Sequence, residues 1–501
     1  MLRNRPIGIW LVVTSILIIV ALVVGDLVLV RADRVIPIGY ATTRITGPLR
    51  ADGTVDYRLA LDAIDFRGVT TANNAVIPLL HALGTGKNIL GSTRSRRAVL
   101  RRLGMPSLPK EGPYFVEAYA FYQSLIAKAK SPAQREALER RKDNWPPLAL
   151  TYTPWTASDH PRAARWLALN RVAFHWAMVA SGRSRYAMPV PAPGRISHNL
   201  LMFAVEPWLA IYRELAQGMA MRSMEYLGEK NIPASENTIL AIHRLARLEG
   251  QDPFVISWLV AFSVDANATR CEQALATRGN LTVIQIEAYQ RTFLALPAFP
   301  SFTSAVNLGQ RFYALDELTS WARGQQGRNS EDEWQATLIP IDYTQIARRV
   351  NGWFDRTVRV FRHTRYQEQA EGILGLKHAF AEAMVDSHFS PTARLGALVE
   401  AFATMGDSAV VRLYGSHTAQ RRISILAFAL ATYHADHGRY PNSLKALIPE
   451  FIRKLPNDPF GDKPLIYRSN DTGYILTSIG PRRQFGTGRQ PITLRVQWHH
   501  R

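Results

Sequence analysis

The sequence has little cysteine: its 501 residues include only Cys271. One cysteine excludes a disulfide within the chain, so oxidising surroundings are compatible with the protein but do not staple it. The apolar share of 47% excludes a disordered chain and is sufficient for substantial hydrophobic cores. A chain of this length is expected to divide into about three units of roughly 150 residues.

Acidic residues are scarce relative to basic ones, with 40 Asp and Glu against 60 Lys and Arg and a formal net charge of +20. The excess is densest in residues 416–501, which hold thirteen Lys and Arg against five Asp and Glu. The arginines are mostly dispersed, with one cluster at residues 94–102, and no nucleic-acid-binding module accompanies them. The composition indicates that the basic residues face solvent, anionic lipid headgroups or envelope polymers rather than nucleic acid.

Long apolar runs are scarce as well, and residues 7–25 stand out as nineteen positions that are almost all apolar and carry no charge. This length is close to the roughly 20 residues that cross a bilayer as a helix. A cleaved signal peptide has a shorter apolar region, of about 7 to 15 residues, and a small-x-small site that is not evident here. Arg3 and Arg5 precede the run and favour a cytoplasmic amino terminus. The sequence therefore predicts an uncleaved signal anchor, single-pass in the inner membrane, with the bulk of the chain periplasmic.

Helical periodicity dominates the middle of the chain. Val255, Trp258, Leu259 and Phe262 fall on one face of a helix that has Pro253 near its first turn. Further helices are predicted at residues 74–83, ended by a glycine at position 84, and in the charged stretch 133–143. The tryptophans at helical positions among apolar neighbours are predicted to be core residues. No clean repeat period is present, so the pattern predicts an irregular stacked-helix body and no named repeat.

The carboxy-terminal region changes character. A helical stripe of Ile423, Leu426, Leu430 and Tyr433 ends at Gly438, which is suited to a left-handed helix stop. Three short β-rich runs follow at residues 464–468, 473–479 and 491–498, and the last alternates apolar and polar side chains through position 498. A helix packed on a small antiparallel sheet is the expected arrangement.

These patterns predict four regions: a membrane anchor at residues 1–34, a mixed and helical region at 35–160, an α-helical body at 161–415 and a small α+β domain at 416–501. The predicted fold class is thus mainly α, with an irregular stacked-helix body after one N-terminal transmembrane helix and a small C-terminal α+β domain.

Familiar catalytic and ligand motifs are missing. The stretch Gly84-Thr-Gly-Lys-Asn88 ends like a phosphate loop but has His81 where that motif requires glycine and Asn88 where it requires Ser or Thr. His434 and His437 share a helix face without a carboxylate partner and are predicted to be exposed helix-terminal side chains.

Consecutive or closely spaced polar residues also give no site. Asp386, Ser387 and His388 are adjacent along the chain, whereas the members of a catalytic triad must converge in space. The acidic pairs at positions 62 and 65 and at 331 and 333 have ordinary surface spacings. The sequence therefore predicts no catalytic, cofactor-binding or metal-binding residue and no cofactor.

The stretch His437-Gly-Arg-Tyr-Pro441, the following SLKALIPEFIRKLPNDPFGDKPLIYR and the later GYILTSIGP resemble the carboxy-terminal domain of the type II secretion major pseudopilin. The resemblance implies that Gly438, Tyr440, Pro441, Asp458 and Pro459 define the fold of this region.

The resemblance to the pseudopilin is incomplete at two places. Pro481, Arg482 and Arg483 stand where the family has the acidic residues of its calcium loop, so the calcium site is not expected. The glycine, apolar run and glutamate of prepilin processing are absent from the amino terminus.

The remainder resembles an uncharacterised group of long, membrane-anchored bacterial helical proteins with a pseudopilin-like end. The phrases that carry this resemblance are DGTVDY, TANNAVIPLLHALG, LGMPSLPKEGPYFV, AIHRLARLEGQDPFVISWLV and LGQRFYALD. They imply an architecture and no activity.

The leading hypothesis is a non-enzymatic envelope protein, anchored through its N-terminal helix, with a protein-binding or scaffold role and secretion-system or filament proteins among its partners. The first alternative is an extracytoplasmic enzyme that acts on an envelope polymer, for which polar residues should converge in one cleft. The second alternative is a binder of anionic polymer or nucleic acid through the basic tail, for which binding should depend steeply on salt.

Overall fold

The fold was established from a computed structural model of the chain. It describes residues 35–190, 206–323, 341–386, 392–393, 396–397, 407–461, 463–470, 473–482 and 488–497. The predicted membrane anchor, residues 1–34, lies outside these ranges. Within them, no helix combines the length and the apolar character required to cross a bilayer.

The described chain is mainly helical, with a small antiparallel sheet near the carboxy terminus. The helices are α1 (Tyr57–Asp65), α2 (Val76–Leu83), α3 (Lys87–Leu90), α4 (Thr93–Arg102), α5 (Ala118–Ala127), α6 (Pro132–Glu139), α7 (Pro161–Leu169), α8 (Arg171–Ser181), α9 (Glu206–Gly228), α10 (Ile232–Glu249), α11 (Val255–Arg278), α12 (Val283–Leu294), α13 (Phe302–Ser304), α14 (Arg311–Ala322), α15 (Tyr343–Phe361), α16 (Tyr366–Asp386) and α17 (Asp407–His437). A π-helical turn, Ala305–Gln310, joins α13 to α14. Short 3-10 helices lie at Lys142–Asn144, Leu148–Thr151 and Leu444–Leu447.

Two hydrophobic cores meet along α11. The amino-terminal end of this helix places Trp258 and Phe262 in a core shared with α14 and α15. Farther along, Val264, Ala268 and Cys271 belong to a larger core built mainly by α2 and α7 to α10. The predicted helical face around residue 258 is therefore confirmed, and α11 is the element that holds the two parts of the body together.

The helix signals read from the sequence are confirmed where the structure describes them. Helix α2 ends at Gly84, whose φ of 79° is readily adopted only by glycine. The charged stretch forms α6, which begins at a serine N-cap with Pro132 in its first turn. Trp166, Trp208 and Trp258 are fully buried, as predicted for core tryptophans, whereas Trp176, predicted with them, is only partly buried.

Helix α17 connects the helical body to the sheet. Its middle packs against α11, α12 and α16, while Ile423, Leu426 and Leu430 point into the core of the tail. The helix ends at Gly438, with a φ of 69°, as predicted. The predicted domain boundary between residues 415 and 416 lies within this continuous helix.

The sheet has the order β1 (Ile466–Asn470), β2 (Gly473–Ser478), β3 (Ile492–Gln497), with both pairs antiparallel. In β3 the partly or fully buried Ile492, Leu494 and Val496 alternate with exposed residues, as predicted, and position 498 lies outside the described residues. The core between α17 and the sheet is completed by Leu444, Leu447 and Leu476, among others. This arrangement confirms the expected helix-on-sheet packing of the tail.

Asp458, which the pseudopilin resemblance identifies as a fold-defining residue, links the loop before β1 to the sheet. Asp458 is buried and accepts hydrogen bonds from Phe460 N at 3.0 Å, Ser478 Oγ at 3.0 Å and Ile479 N at 2.7 Å. The carbonyl of Pro441 accepts from Tyr467 Oη at 2.7 Å. These bonds tie the loop after α17 and the loop before β1 to the sheet, which is a structural role.

Candidate functional site

A cavity of about 630 Å³ lies where α11, the ends of α13 and α15, and α17 meet. It is large enough for a small organic ligand. A smaller neighbouring cavity, of about 190 Å³, shares Tyr414, Thr418 and Arg422 with it and extends toward Asp458 in the tail. The site therefore lies at the junction of the helical body and the carboxy-terminal sheet region.

One wall of the cavity is aromatic. The Trp258 ring stacks on Phe262 at 4.8 Å between centroids and meets Phe302 at 4.8 Å in an edge contact. The indole nitrogen donates to the Pro300 carbonyl at 2.9 Å, so the ring orientation is fixed and the indole N–H is satisfied. The three rings are buried against one another and make this wall rigid, and the partly exposed Phe299 beside them is the aromatic residue that is more open to the cavity.

A second part of the cavity wall is basic. Five basic side chains line the cavity: Arg362, His363, His417, Arg421 and Arg422. Among the described lining residues none is Asp or Glu. The two histidines already lie beside carboxylates outside the lining, His363 3.3 Å from Glu368 and His417 2.8 Å from Asp265, so the arginines supply the positive charge that is open to a ligand.

The arginines of this wall differ in the interaction partners that their guanidinium groups already have. Arg422 Nη1 donates to the Asn457 carbonyl at 2.6 Å, and the Arg421 guanidinium lies 5.1 Å from the centre of the Phe293 ring. Neither Arg362 nor Arg421 forms an ion pair with a carboxylate among the described residues. Their charges are thus available to an anionic ligand.

His417 links the cavity to a buried charge cluster on α10 and α11. We define the Asp265 cluster as His243, Arg247, Asp265, Glu272 and His417. Asp265 is fully buried; its Oδ1 lies 2.6 Å from His243 Nδ1 and 2.8 Å from Arg247 Nη1. Its Oδ2 lies 2.8 Å from His417 Nε2, in an electrostatic contact whose angle departs from that of an aligned hydrogen bond.

The cluster stabilises its charges internally. Burial acts to raise the pKa of Asp265, but His243 and His417 outweigh it and hold that pKa well below the usual value. Burial acts to lower the pKa of His243, yet Asp265 and Glu272 raise it above the ordinary value. Asp265 is therefore an ionised carboxylate shared by three basic side chains.

Further hydrogen bonds fix the geometry of the Asp265 cluster. Arg247 donates through Nε to the Pro297 carbonyl at 2.7 Å and through Nη1 to the His243 carbonyl at 2.8 Å. Tyr289 Oη donates to Glu272 Oε1 at 2.9 Å. Glu272 Oε1 also lies 3.3 Å from His243 Nε2. The cluster thus connects α10, α11, α12 and α17 behind the cavity wall.

A second buried group has the opposite character. We define the acidic cluster as Asp65, Glu249 and Asp252, whose carboxyls affect one another electrostatically. Burial is the main cause that raises the pKa of Asp252 to about 7 and that of Asp65 to about 8. Burial, followed by the charge of Asp252, raises the pKa of Glu249 well above its usual value. The Tyr186 hydroxyl acts on the pKa of Glu249 in the opposite direction, although neither carboxyl oxygen of Glu249 forms an aligned hydrogen bond among the described residues.

The residues singled out in the sequence do not assemble into a site. Asp436 and His437 are exposed at the end of α17, and His434 is half-buried beside Tyr440, with ring centroids 4.6 Å apart. In the described part of the chain no three His, Cys, Asp or Glu side chains are grouped so as to hold a metal ion.

The acidic pairs and the consecutive polar residues have different outcomes. Asp62 forms an ion pair with Arg102 at 2.9 Å. The prediction that these aspartates have an ordinary surface spacing was wrong for Asp65. Its side chain is half-buried, and the charge of Asp252 contributes to its raised pKa. The acidic residues at 331 and 333 lie outside the described residues, as do Ser387, His388 and Arg483.

Sequence reasoning missed the Asp265 cluster. His243 and Arg247 are four residues apart on α10, and Asp265 and Glu272 are seven apart on α11, so each pair occupies one helix face. A polar pair on an otherwise apolar face is the signal that was present, since His243 lies between the buried Ile239 and Ala246. Their convergence depends on how the helices pack, which the sequence pattern does not specify.

Comparisons with protein-family models, with curated proteins and with solved structures found no match for this chain.

Proposed function

We propose that this chain is a membrane-anchored extracytoplasmic binding protein whose cavity takes an anionic ligand with an aromatic or apolar part. The observation that carries the proposal is the cavity lining, which combines five basic side chains with aromatic residues and includes no acidic residue among those described. Charge-assisted hydrogen bonds from arginine to phosphate, sulfate or carboxylate groups are stronger than neutral ones. Phe299, a partly exposed aromatic residue of the lining, offers a ring that an apolar group of the ligand can contact.

The Asp265 cluster supports the cavity without neutralising it entirely. Asp265 faces His417 from the protein side and is shared with His243 and Arg247, while Glu272 also lies beside His243. Arg362 and Arg421 lie outside this cluster and retain their charge for a ligand.

A planar aromatic trisulfonate, pyranine, is a suitable probe because its sulfonates keep it out of neutral detergent micelles. We expect saturable binding to the full-length protein, measured by fluorescence anisotropy. Arg362→Gln combined with Arg421→Gln should weaken binding at least tenfold, since each lost charge-assisted hydrogen bond is worth about 1.5–3 kcal/mol.

Arg135→Gln is the matched control, because Arg135 is an exposed arginine of α6 outside the cavity lining. Its affinity for pyranine should equal that of the wild type. No binding by the wild type, or equal binding by the double variant at an unchanged thermal midpoint, would overturn the proposal.

The anchoring part of the proposal is supported by the nineteen-residue apolar run. A reporter enzyme that is active only outside the cytoplasm, fused after Arg501, should be active in whole cells. Good expression of an inactive fusion would reverse the assigned topology.

We further propose that residues 416–501 form a pseudopilin-like end that contacts envelope proteins. The packing of α17 on the sheet and the buried Asp458 support this, and we propose that the helical body attached to it is the irregular stacked-helix array predicted from the sequence. Crosslinking in intact cells should recover secretion-system or filament proteins; their consistent absence among crosslinked partners would count against this role.

A further inference from the structure

The segment that follows the apolar run is fixed to the helical body. Asn351 on α15 donates through Nδ2 to the carbonyls of Ala41, at 3.1 Å, and Thr42, at 2.8 Å. Tyr57 Oη donates to the Thr43 carbonyl at 2.9 Å. The first described residues after the predicted anchor are thus a fixed cap on α15.

This cap presents apolar side chains to the exterior. Val35 is 68% exposed, Ile38 42% and Tyr40 66%, whereas Ile36 between them is buried in the core shared with α15. Exposed apolar side chains grouped along one short segment are typical of an interaction surface.

The exposed face of α15 beside the cap is basic. Arg348, Arg356 and Arg359 are exposed on it, while the opposite face is buried. Asp355 is the one acidic residue of this helix, and it is paired with Arg311 Nη2 at 2.7 Å and with Arg44 Nη2 at 3.4 Å. The remaining charge of the face is therefore positive.

The cap and the basic face belong to one surface. Arg44 lies over the Tyr40 ring, 4.1 Å from its centre, and its guanidinium also contacts Asp355. Tyr40 is therefore connected through a single arginine to the exposed face of α15. We define the juxtamembrane surface as Val35, Ile38, Tyr40, Arg348, Arg356 and Arg359.

We propose that the juxtamembrane surface lies against anionic lipid headgroups, with its apolar side chains at the membrane interface. Val35 is ten residues beyond Gly25, the end of the apolar run, and ten residues span at most about 36 Å. Basic side chains held this close to a bilayer are attracted by anionic lipids, and aromatic side chains such as Tyr40 favour the interface. The inference rests on the proposed anchoring and adds which face of the body the membrane covers.

The test uses the full-length protein in vesicles that carry a nitroxide on some lipid headgroups. A fluorophore is attached at Arg359→Cys on the surface or, as the control, at Arg135→Cys on α6, which packs in a different hydrophobic cluster from α15. The native thiol of Cys271 does not interfere, because burial raises its pKa to about 12.

In vesicles that contain phosphatidylglycerol, we expect the label at 359 to be quenched at least twofold more than the label at 135. The excess should shrink in phosphatidylcholine alone and in an Arg348→Gln/Arg356→Gln background. Equal quenching at both positions, in protein that floats with the vesicles, would overturn the juxtamembrane surface and leave anchoring intact. Protein that fails to float with the vesicles would overturn both.

Discussion

The Asp265 cluster and the acidic cluster bury carboxyl groups in the same helical body, yet they hold them in opposite charge states. Helix α10 contributes to both, with His243 and Arg247 turned toward Asp265 and Glu249 turned toward Asp252. Residues two positions apart on a helix, such as Arg247 and Glu249, point to nearly opposite sides, so these two side chains meet different partners. Three basic neighbours keep Asp265 ionised, whereas the absence of a described cationic partner for Glu249 favours its protonated form.

The largest expected effect comes from removing the shared anion. Asp265→Asn leaves Arg247 and two histidines buried without their carboxylate, and breaking a buried pair in this way costs about 3–5 kcal/mol. The variant should show a strongly lowered thermal midpoint in scanning fluorimetry. Glu136→Gln is the control, because Glu136 pairs with Arg140 at an exposed site where a loss below about 1 kcal/mol is expected. Similar midpoints for the two variants would contradict the ionised state of Asp265.

The next effect is a dependence of stability on pH from the acidic cluster. Asp252, with a pKa of about 7 in the folded protein, binds more protons than the unfolded chain between pH 3.8 and about 7. The free energy of unfolding should therefore fall with rising pH across this window, by the order of 2 kcal/mol between pH 5 and pH 7. Asp252→Asn should reduce the decline, measured as thermal midpoints at the two pH values, without abolishing it, because Asp65, with a pKa of about 8, and Glu249 contribute in the same direction. An unchanged slope in this variant would show that Asp252 does not hold the proton.

A smaller effect is expected at the cavity side of the Asp265 cluster. His417→Gln removes one of three basic neighbours, and Asp265 retains His243 and Arg247. The expected loss of stability is about 1–2 kcal/mol, clearly less than for Asp265→Asn. Pyranine affinity should fall as well, because His417 lines the cavity. Unchanged stability together with unchanged affinity would show that His417 contributes neither to the Asp265 cluster nor to ligand binding in the cavity.

The smallest effect at pH 5 is expected for Glu249→Gln. A buried carboxyl whose pKa is raised well above its usual value is replaced by a neutral amide of nearly the same shape, so the change should stay within about 1 kcal/mol at pH 5. At pH 8 the substitution should become stabilising, because the unfolded wild type ionises this carboxyl more readily than the folded protein does. Thermal midpoints at both pH values measure this. A loss as large as that of Asp265→Asn would mean that Glu249 is ionised and paired, and the contrast between the clusters would disappear.

Local signals in the sequence predicted the secondary-structure elements correctly but did not predict the cavity or the Asp265 cluster. The glycines at 84 and 438 and the alternation in β3 mark element ends and faces because each acts over a few residues. The Asp265 cluster assembles residues from 243 to 417, and the cavity adds the end of α15 at Arg362. Such groupings arise from the packing of helices distant in the sequence. Asp65 shows the same limit, since its spacing resembles that of a surface pair and only tertiary packing places it near Asp252.

The most direct test of the cationic cavity is a structure of the full-length protein with bound pyranine. The account predicts the aromatic rings against the cavity wall at Phe299 and sulfonate groups beside Arg362 and Arg421. Pyranine bound elsewhere on the protein, with this cavity empty, would contradict it.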